Sequence, residues 1–287
     1  MNKRLHLLSA NSKNKYGLEY FVSKAFKQIG YDIIETDYRI LDRYEVSTRV
    51  RYITDVDFLL CIKGELISPE DIYACRIPAI LWMQDSVQAN REANFIIQTK
   101  SSLFDMIFSF NKAELSFYKQ FNNNSYYLPL ACDPDIHKVI DNENKFIDVG
   151  FVGNLNINRI NMINTLLEKG IPVQYNYSID KYSEIISNTK INLNIGITEA
   201  GYQQRVFEIL GMGGCLFTNF VKDEMLFKDK EHLVYYKSLD HLTDLCYAFI
   251  NEPYLIDKIA KAGQKEVLEK HTYIHRVREI IDKVNNL

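Results

Sequence analysis

The sequence predicts an α/β protein built from two doubly wound, Rossmann-like domains that face each other across a cleft. Short apolar runs typical of strands alternate with amphipathic helices along most of the 287 residues. The runs are apolar throughout their centres, as expected for parallel strands covered on both faces. A polar stretch at 133–146 interrupts the alternation near the middle of the chain. These observations together favour two domains of ordinary size over one large domain.

The first half contains one complete series of alternating elements. Its second helix carries a start signal, because Ser68 is suited to the N-cap and Pro69 to the first helical position. The predicted elements are strand 4–10, helix 17–30, strands 31–37 and 55–64, helix 68–76, strands 78–86 and 104–110, helix 111–121 and strand 124–131.

A second series follows the polar stretch. Its helix 203–210 ends at Gly211, Gly213 and Gly214, which stop the helix and allow a tight return into the next strand. The predicted elements are strand 147–153, helix 158–169, strand 171–177, helix 180–188, strand 191–197, helix 203–210, strand 215–219 and a helical tail over 239–287.

These elements predict the domain boundaries. We expect residues 1–132 to form an N-terminal Rossmann-like domain and 133–146 to form the linker. We expect residues 147–265 to form a C-terminal Rossmann-like domain and a final helix within 266–287 to pack back on the N-terminal domain.

Composition excludes several classes of protein. The net charge of −3 argues against a nucleic-acid partner. The five cysteines are widely spaced without a CxxC pair, which favours a reducing compartment over a disulfide framework or a zinc site. No apolar run approaches the ~18 residues of a membrane span, and the N-terminal apolar stretch is shorter than that of a secretory signal. We therefore expect a cytoplasmic protein; its oligomeric state stays open.

Three features of the second domain predict an anion site at the carboxyl ends of its strands. Gly153 and Asn154 form a turn directly after a strand, and Arg159 lies early in the next helix. Arg205 and Glu208 lie in the first turns of a later helix. Helix N–H groups favour phosphate, an arginine fork suits a diphosphate, and a glutamate can accept hydrogen bonds from a ribose diol.

Each of these features also has a structural explanation. A Gly-Asn turn after a strand commonly serves the turn alone. An arginine and a glutamate three residues apart commonly form a solvated helix-surface pair worth a few tenths of a kcal/mol. Their convergence on one edge of a sheet favours function over these explanations.

Three segments resemble a known family. "IDVGFVGNLNINR", "RVFEILGMGGCLFTN" and "EKHTYIHR" are similar to blocks of the CgeB-like (spore-maturation) glycosyltransferases, relatives of glycosyltransferase family 4. The blocks span roughly 148–278, while the N-terminal half matches only loosely. The resemblance implies a GT-B fold in which the second domain holds a nucleotide sugar.

The resemblance also implies roles for individual residues. Glu208 matches the ribose-binding glutamate, and Arg205 and the Gly153 loop match positions near the diphosphate. Family 4 enzymes commonly carry another glutamate eight positions before the ribose glutamate; here that position is Ala200, and Glu199 lies one residue away. Either Glu199 contacts the sugar through a shifted loop or the role is absent from this chain, and the departure leaves the stereochemical outcome open.

Further candidates lie elsewhere in the chain. Asp85 follows a buried strand of the first domain, where it could act on the acceptor as a base or as an N-cap residue without catalytic function. Tyr177 lies where we expect the base of the nucleotide. His271 is suited to either a cleft or a cap, and His6 is expected to pack within the first strand.

The predicted function is transfer of a sugar from a nucleoside-diphosphate sugar, with uridine favoured, to an unknown acceptor. The reaction is expected to need no metal and no cofactor beyond this co-substrate, and a retaining outcome is favoured. Two alternatives stay open: a nucleotide-sugar epimerase of the same fold, and a non-catalytic binding or assembly module.

Overall fold

A computed structural model describes residues 3–10, 13–140, 145–175, 181–196, 201–221 and 225–287. The chain divides into two compact units. The first combines Met1–Leu130 with Tyr273–Leu287, and the second is Ala131–Thr272. The predicted boundaries at 132, 147 and 265 stay predictions.

The first unit is built on a six-stranded sheet whose strand pairs are all parallel. Its strand order is β2-β1-β3-β4-β5-β6. The strands are β1 (Arg4–Ser9), β2 (Asp32–Asp37), β3 (Phe58–Ile62), β4 (Ala79–Met83), β5 (Met106–Ser109) and β6 (Ser125–Tyr127). The helices are α1 (Leu18–Gln28), α2 (Arg43–Tyr52), α3 (Pro69–Tyr73), α4 (Arg91–Lys100), α5 (Leu115–Tyr118) and α11 (Tyr273–Val284), with short 3-10 turns at Ser101–Leu103 and Lys112–Glu114.

Helices cover both faces of this sheet, because side chains alternate between the faces along each strand. Leu8, Cys61 and Leu81 belong to the core cluster that also includes buried residues of α2 and α4. On the opposite face, Phe58 of β3 contacts Phe26 of α1, with ring centroids 6.2 Å apart. The two covered faces explain why the central strands are apolar throughout.

The second unit repeats the same plan with five parallel strands. Its strand order is β8-β7-β9-β10-β11, the same permutation as in the first five strands of the first unit. Its elements are β7 (Ile147–Phe151), α6 (Ile157–Glu168), β8 (Val173–Gln174), α7 (Tyr182–Asn188), β9 (Thr189–Asn194), α8 (Gln204–Gly211), β10 (Leu216–Asn219), β11 (Val234–Tyr236), α9 (Leu239–Phe249) and α10 (Pro253–Lys270). Two doubly wound parallel sheets confirm the predicted fold class.

Local start signals act as the sequence predicts. The Ser68 side chain accepts a hydrogen bond from the backbone N–H of Asp71, which caps α3 with Pro69 in its first turn. In the second unit, the Asn156 side chain caps α6 by accepting from the N–H of Arg159 at 3.0 Å. Among the described elements, α2, α4, β11 and the 3-10 turn at Ser101–Leu103 fall outside the predicted set.

The helices in the described parts of the chain are all too short or too polar to cross a lipid bilayer.

Candidate functional site

The candidate site lies where the strand order of the second sheet reverses direction. From β7 the chain passes to β8 on one side and later to β9 on the other. The carboxyl ends of β7 and β9 are therefore neighbours whose loops diverge, and such a point leaves a crevice in which parallel α/β sheets bind ligands. Gly153 and Asn154 follow β7 here, and Ile195 and Gly196 follow β9.

Arg159 joins the two strand ends. Its Nε donates to the carbonyl oxygen of Ile195 at 3.1 Å, and its Nη1 donates to the carbonyl oxygen of Asn154 at 2.7 Å. The side chain therefore fixes both loops beside the N-terminus of α6 and keeps a guanidinium group at that position.

Arg205 of α8 lies against the Gly153 turn. A Cβ atom added to Gly153 would stand 2.8 Å from Nη1 of Arg205, closer than real side chains approach. The absence of a side chain at Gly153 thus lets the guanidinium reach the strand end. Its Cζ also lies 5.5 Å from the ring centroid of Tyr182, a cation–π distance.

The two arginines create a local excess of positive charge. Burial lowers the pKa of Arg159, and the neighbouring charge of Arg205 lowers it further. Within the described ranges neither guanidinium forms an ion pair with a carboxylate, and the buried Nη1 of Arg205 has no hydrogen-bond partner there. Such a site is suited to an anion that accepts several hydrogen bonds.

Glu208 lies one helical turn beyond Arg205 and is almost fully buried. Its Oε2 accepts a hydrogen bond from the hydroxyl of Tyr182 at 3.0 Å, and its Oε1 accepts from Nε2 of Gln204 at 2.7 Å. Burial raises the pKa of Tyr182 well above its usual range, and the charge of Glu208 raises it further, so the phenol stays a donor. These contacts fix the orientation of the carboxylate.

His137 approaches the same carboxylate from the stretch that the sequence assigns to the linker. Its Nε2 lies 3.5 Å from Oε1 of Glu208. Its Nδ1 accepts a hydrogen bond from the backbone N–H of Asp133 at 3.0 Å. Because Nδ1 acts as the acceptor, the ring proton of neutral His137 is on Nε2 and points toward Glu208. Residues 133–137 thus contribute to the site within the second unit.

The surface-pair explanation for Arg205 and Glu208 does not describe this geometry. Within the described parts of the chain the two residues form no ion pair with each other. Arg205 contacts the Gly153 turn and the Tyr182 ring, while Glu208 contacts the hydroxyl of Tyr182, Gln204 and His137. The arrangement provides a cationic part and a separate, oriented carboxylate.

The remaining predicted residues divide into three groups. Glu199 and Tyr177 lie outside the described residues. Asp85 follows β4 in the first unit, where its Oδ2 lies 3.3 Å from Nζ of Lys63. His271 packs beside Phe207, with ring centroids 5.8 Å apart, and His6 is fully buried with its Nε2 2.8 Å from Oγ1 of Thr36. His6 is thus packed as expected.

Sequence reasoning missed three partners of Glu208: His137, Tyr182 and Gln204. Gln204 precedes Glu208 by four residues, so helical spacing alone could have identified it. Tyr182 and His137 come from distant parts of the chain and carry no local pattern. Their roles depend on the tertiary fold.

The comparisons with known proteins agree with the architecture. The model of a family described as glycosyl transferase-like matches residues 147–282. No curated protein matches the chain.

Several solved structures share the fold over almost the whole chain. HepE of Anabaena, in complex with UDP and glucose, is 10% identical with a TM-score of 0.70, and the match covers 99% of this chain and 100% of HepE. A glycosyltransferase from Rickettsia africae is 10% identical with a TM-score of 0.68, covering 100% of this chain and 99% of that one. A sucrose-phosphate synthase from Thermosynechococcus elongatus is 8% identical with a TM-score of 0.66, covering 99% and 98%. At these identities the likeness shows the fold alone, which is the GT-B fold.

Proposed function

We propose that this chain, an enzyme of the glycosyltransferase class with the GT-B fold, transfers a sugar from a UDP-sugar to an acceptor. The observation that carries the proposal is the pair of arginines at the switch point of a glycosyl transferase-like domain. HepE, which shares the fold, was solved with UDP-glucose. That complex supports uridine as the base of the donor here.

In this proposal, Arg159 and Arg205 bind the diphosphate of the donor. Negative charge grows on the diphosphate as the bond to the sugar breaks, and preoriented cations stabilise that charge. The Gly153 turn gives the phosphate oxygens access to backbone N–H groups. The two guanidinium groups supply charge compensation that a metal ion provides in other transferases, so we propose a reaction without a required metal or cofactor.

Glu208 binds the ribose of the donor. A carboxylate can accept hydrogen bonds from both hydroxyls of a ribose, and Tyr182 and Gln204 leave part of each oxygen's accepting capacity unused. Tyr182 and His137 act as positioning residues because they contact the carboxylate and fix its orientation.

The finer assignments are also part of the proposal. We assign Glu199 to the transferred sugar with a retaining outcome, and Tyr177 to the base, as the family resemblance implies. Asp85, held by Lys63, is assigned to the acceptor. We further propose that the chain is of the CgeB-like type and acts in the cytoplasm.

Nucleotide binding tests the proposal directly. We expect UDP to raise the melting temperature of the full chain more than GDP or ADP does. The same titration with Arg205→Ala should show a much smaller rise. If no nucleotide stabilises the wild-type protein, the proposed donor site is wrong.

Product analysis with a UDP-sugar and no acceptor separates transfer from epimerisation, because an epimerase changes the sugar without an acceptor.

A further inference from the structure

Several buried side chains of the first unit, among them His6 and Asn111, carry polar atoms that lack hydrogen-bond partners among the described residues. Three of them come from β1 and from the end of β4. They are Ser9, Trp82 and Gln84, here called the Gln84 cluster, and they are 1%, 0% and 7% exposed. The unpaired atoms are Oγ of Ser9, Nε1 of Trp82, and both Nε2 and Oε1 of Gln84. Burying such groups unpaired costs about 1–3 kcal/mol each, so the cluster calls for a functional explanation.

The cluster lies on one face of the first sheet, toward its carboxyl edge. Ser9 ends β1, and Gln84 directly follows β4. Leu8 and Ala10 of the first segment, and Leu81 and Met83 of the second, belong to the core cluster on the other face. Strand alternation therefore places Ser9, Trp82 and Gln84 on the same face, the one that α1 covers, with β3 between the strands that carry them.

The topology of the first unit makes this edge a ligand-binding position. Its strand order reverses between β1 and β3, as it does between β7 and β9 in the second unit. Parallel α/β sheets bind ligands outside the carboxyl ends of the strands at such a point. Ser9 is at the switch point itself, and Gln84 directly follows β4, the strand beside β3.

The loop that carries Gln84 is fixed by its surroundings. Buried Glu114 accepts hydrogen bonds from the hydroxyl of Ser86 and, at 3.2 Å, from the backbone N–H of Val87. Lys63 forms an ion pair with Asp85 at 3.3 Å. The backbone at Gln84 is thus held in place. The side-chain amide of Gln84 has no hydrogen-bond partner among the described residues, so it can turn toward a ligand without losing a hydrogen bond.

The chemistry of the unpaired atoms indicates a hydroxyl-bearing ligand. Trp82 and the Gln84 amide nitrogen are donors, the Gln84 amide oxygen is an acceptor, and the Ser9 hydroxyl is both. Sugar hydroxyls also donate and accept, so several of them together can satisfy these groups. A phosphate or carboxylate oxygen only accepts and would leave the Gln84 oxygen unpaired.

The charges near this edge also favour an uncharged ligand. The Lys63 and Asp85 charges compensate each other across their ion pair. Burial raises the pKa of the nearby Glu19 carboxyl, which lies in the first turn of α1 and interacts with Lys63. Arg39 near Glu19 is likewise compensated, by its ion pair with Glu65 at 2.7 Å. These paired charges differ from the two arginines of the second unit, which form no ion pair within the described ranges.

We propose that the Gln84 cluster binds the acceptor through its hydroxyl groups and that the acceptor is a neutral carbohydrate. This inference rests on the proposed function and adds the substrate class of the acceptor. The Gln84 amide and the Ser9 hydroxyl are the groups assigned to contact it.

Amide spectra of the ¹⁵N-labelled full chain test the proposal. The side-chain NH₂ signals of Gln84 are those that disappear in Gln84→Met, with Gln84→Asn as a second assignment variant if the first fails to fold. We expect maltose or cellobiose to shift these signals saturably in the presence of UDP. Gln84→Met should weaken saccharide affinity by about tenfold, the loss of one or two hydrogen bonds, while leaving UDP affinity unchanged.

Gln88→Met is the matched control, because Gln88 lies in the same loop with an exposed side chain. It should leave saccharide affinity unchanged. The proposal is overturned if neither disaccharide moves the Gln84 signals, or if glucose 6-phosphate moves them at lower concentration than glucose does. UDP-induced changes in the same spectra report the donor site separately, so their absence would refute the proposed function instead.

Discussion

The hydroxyl of Tyr182 donates a hydrogen bond to Oε2 of Glu208 at 3.0 Å, while the face of the same ring lies 5.5 Å from the guanidinium carbon of Arg205. One side chain of α7 thus contacts both charged residues that the first turns of α8 present. Because the phenol keeps its proton, the contact orients Glu208 without adding charge to the site.

Tyr182→Phe isolates the orienting hydrogen bond. The change keeps the ring beneath Arg205 but removes the donor to Oε2 of Glu208. We expect the KM for the donor to rise by about fivefold to tenfold, which corresponds to about 1–1.4 kcal/mol, with a smaller change in kcat. Steady-state kinetics with UDP-glucose measure this. Tyr254→Phe, at a strongly exposed position, is the control and should leave both constants unchanged. If Tyr182→Phe and Tyr254→Phe have the same kinetic constants, Tyr182 does not position Glu208 for donor binding.

Glu208→Gln and Arg205→Ala should affect different kinetic constants. Glutamine keeps the size of Glu208 but loses the charge that strengthens hydrogen bonds to ribose, which should cost about 1–2 kcal/mol or about tenfold in donor affinity. Ribose is bound in both the ground state and the transition state, so the loss should appear mainly as a raised KM. Arg205→Ala should mainly lower kcat, because charge on the diphosphate grows in the transition state. Circular dichroism should show both variants folded; wild-type kinetics in both would place the site elsewhere.

Gly153→Ala should act through Arg205. The added methyl group would stand 2.8 Å from Nη1 of Arg205 and must displace that flexible side chain. We expect kcat to fall by about tenfold or more. The melting temperature should fall as well, because φ at Gly153 is +157° and a side chain there strains the backbone. In a double-mutant cycle, the same glycine change should have almost no further effect when Arg205 is already alanine. Additive losses in the cycle would show that Gly153 acts through the backbone instead.

Stability should depend on pH through His6. Burial, with a smaller contribution from the charge of Arg49, lowers the pKa of His6 from 6.5 to about 4. The ring of His6 therefore stays neutral in the folded state. In the unfolded chain it takes up a proton as pH falls from about 6.5 to 4, and this lowers the free energy of unfolding. The expected loss is about 2 kcal/mol at pH 5. Urea unfolding at pH 7 and pH 5 measures it, and His6→Leu should lack this part of the pH dependence. Equal pH dependence in both proteins would contradict the prediction.

The elements that could be predicted from the sequence are those specified by a local pattern of residues, such as an apolar run or a helix cap. Buried strands such as β3 are apolar throughout, and α3 starts at a serine cap. Helix α2 has an N-cap at Asp42 but lacks an apolar stripe, because only Val46 and Val50 are buried in its ten residues. Strand β11 has three residues and depends on its pairing with β10.

The same distinction applies to the candidate site. Gly153, Arg159, Arg205 and Glu208 stand next to strand ends and helix starts, so their convergence followed from the fold class. His137 could not be predicted, because it approaches Glu208 from a stretch whose composition resembles a linker. The unpaired groups of the Gln84 cluster could not be predicted either, because the packing of the folded chain decides whether a buried amide has a hydrogen-bond partner.

Because α11 belongs to the first unit, the two units are completed in a different order from that in which they are begun during synthesis. Tyr273 of α11 lies against Phe21 of α1, with ring centroids 5.4 Å apart, and Nε of Arg276 donates to the carbonyl oxygen of Pro129 at 2.8 Å. The first unit is therefore begun first on the ribosome but completed last, after every residue of the second has been made. Until α11 emerges, the nascent chain leaves the apolar side of α1 that faces it uncovered, which makes that surface a place for a chaperone to bind.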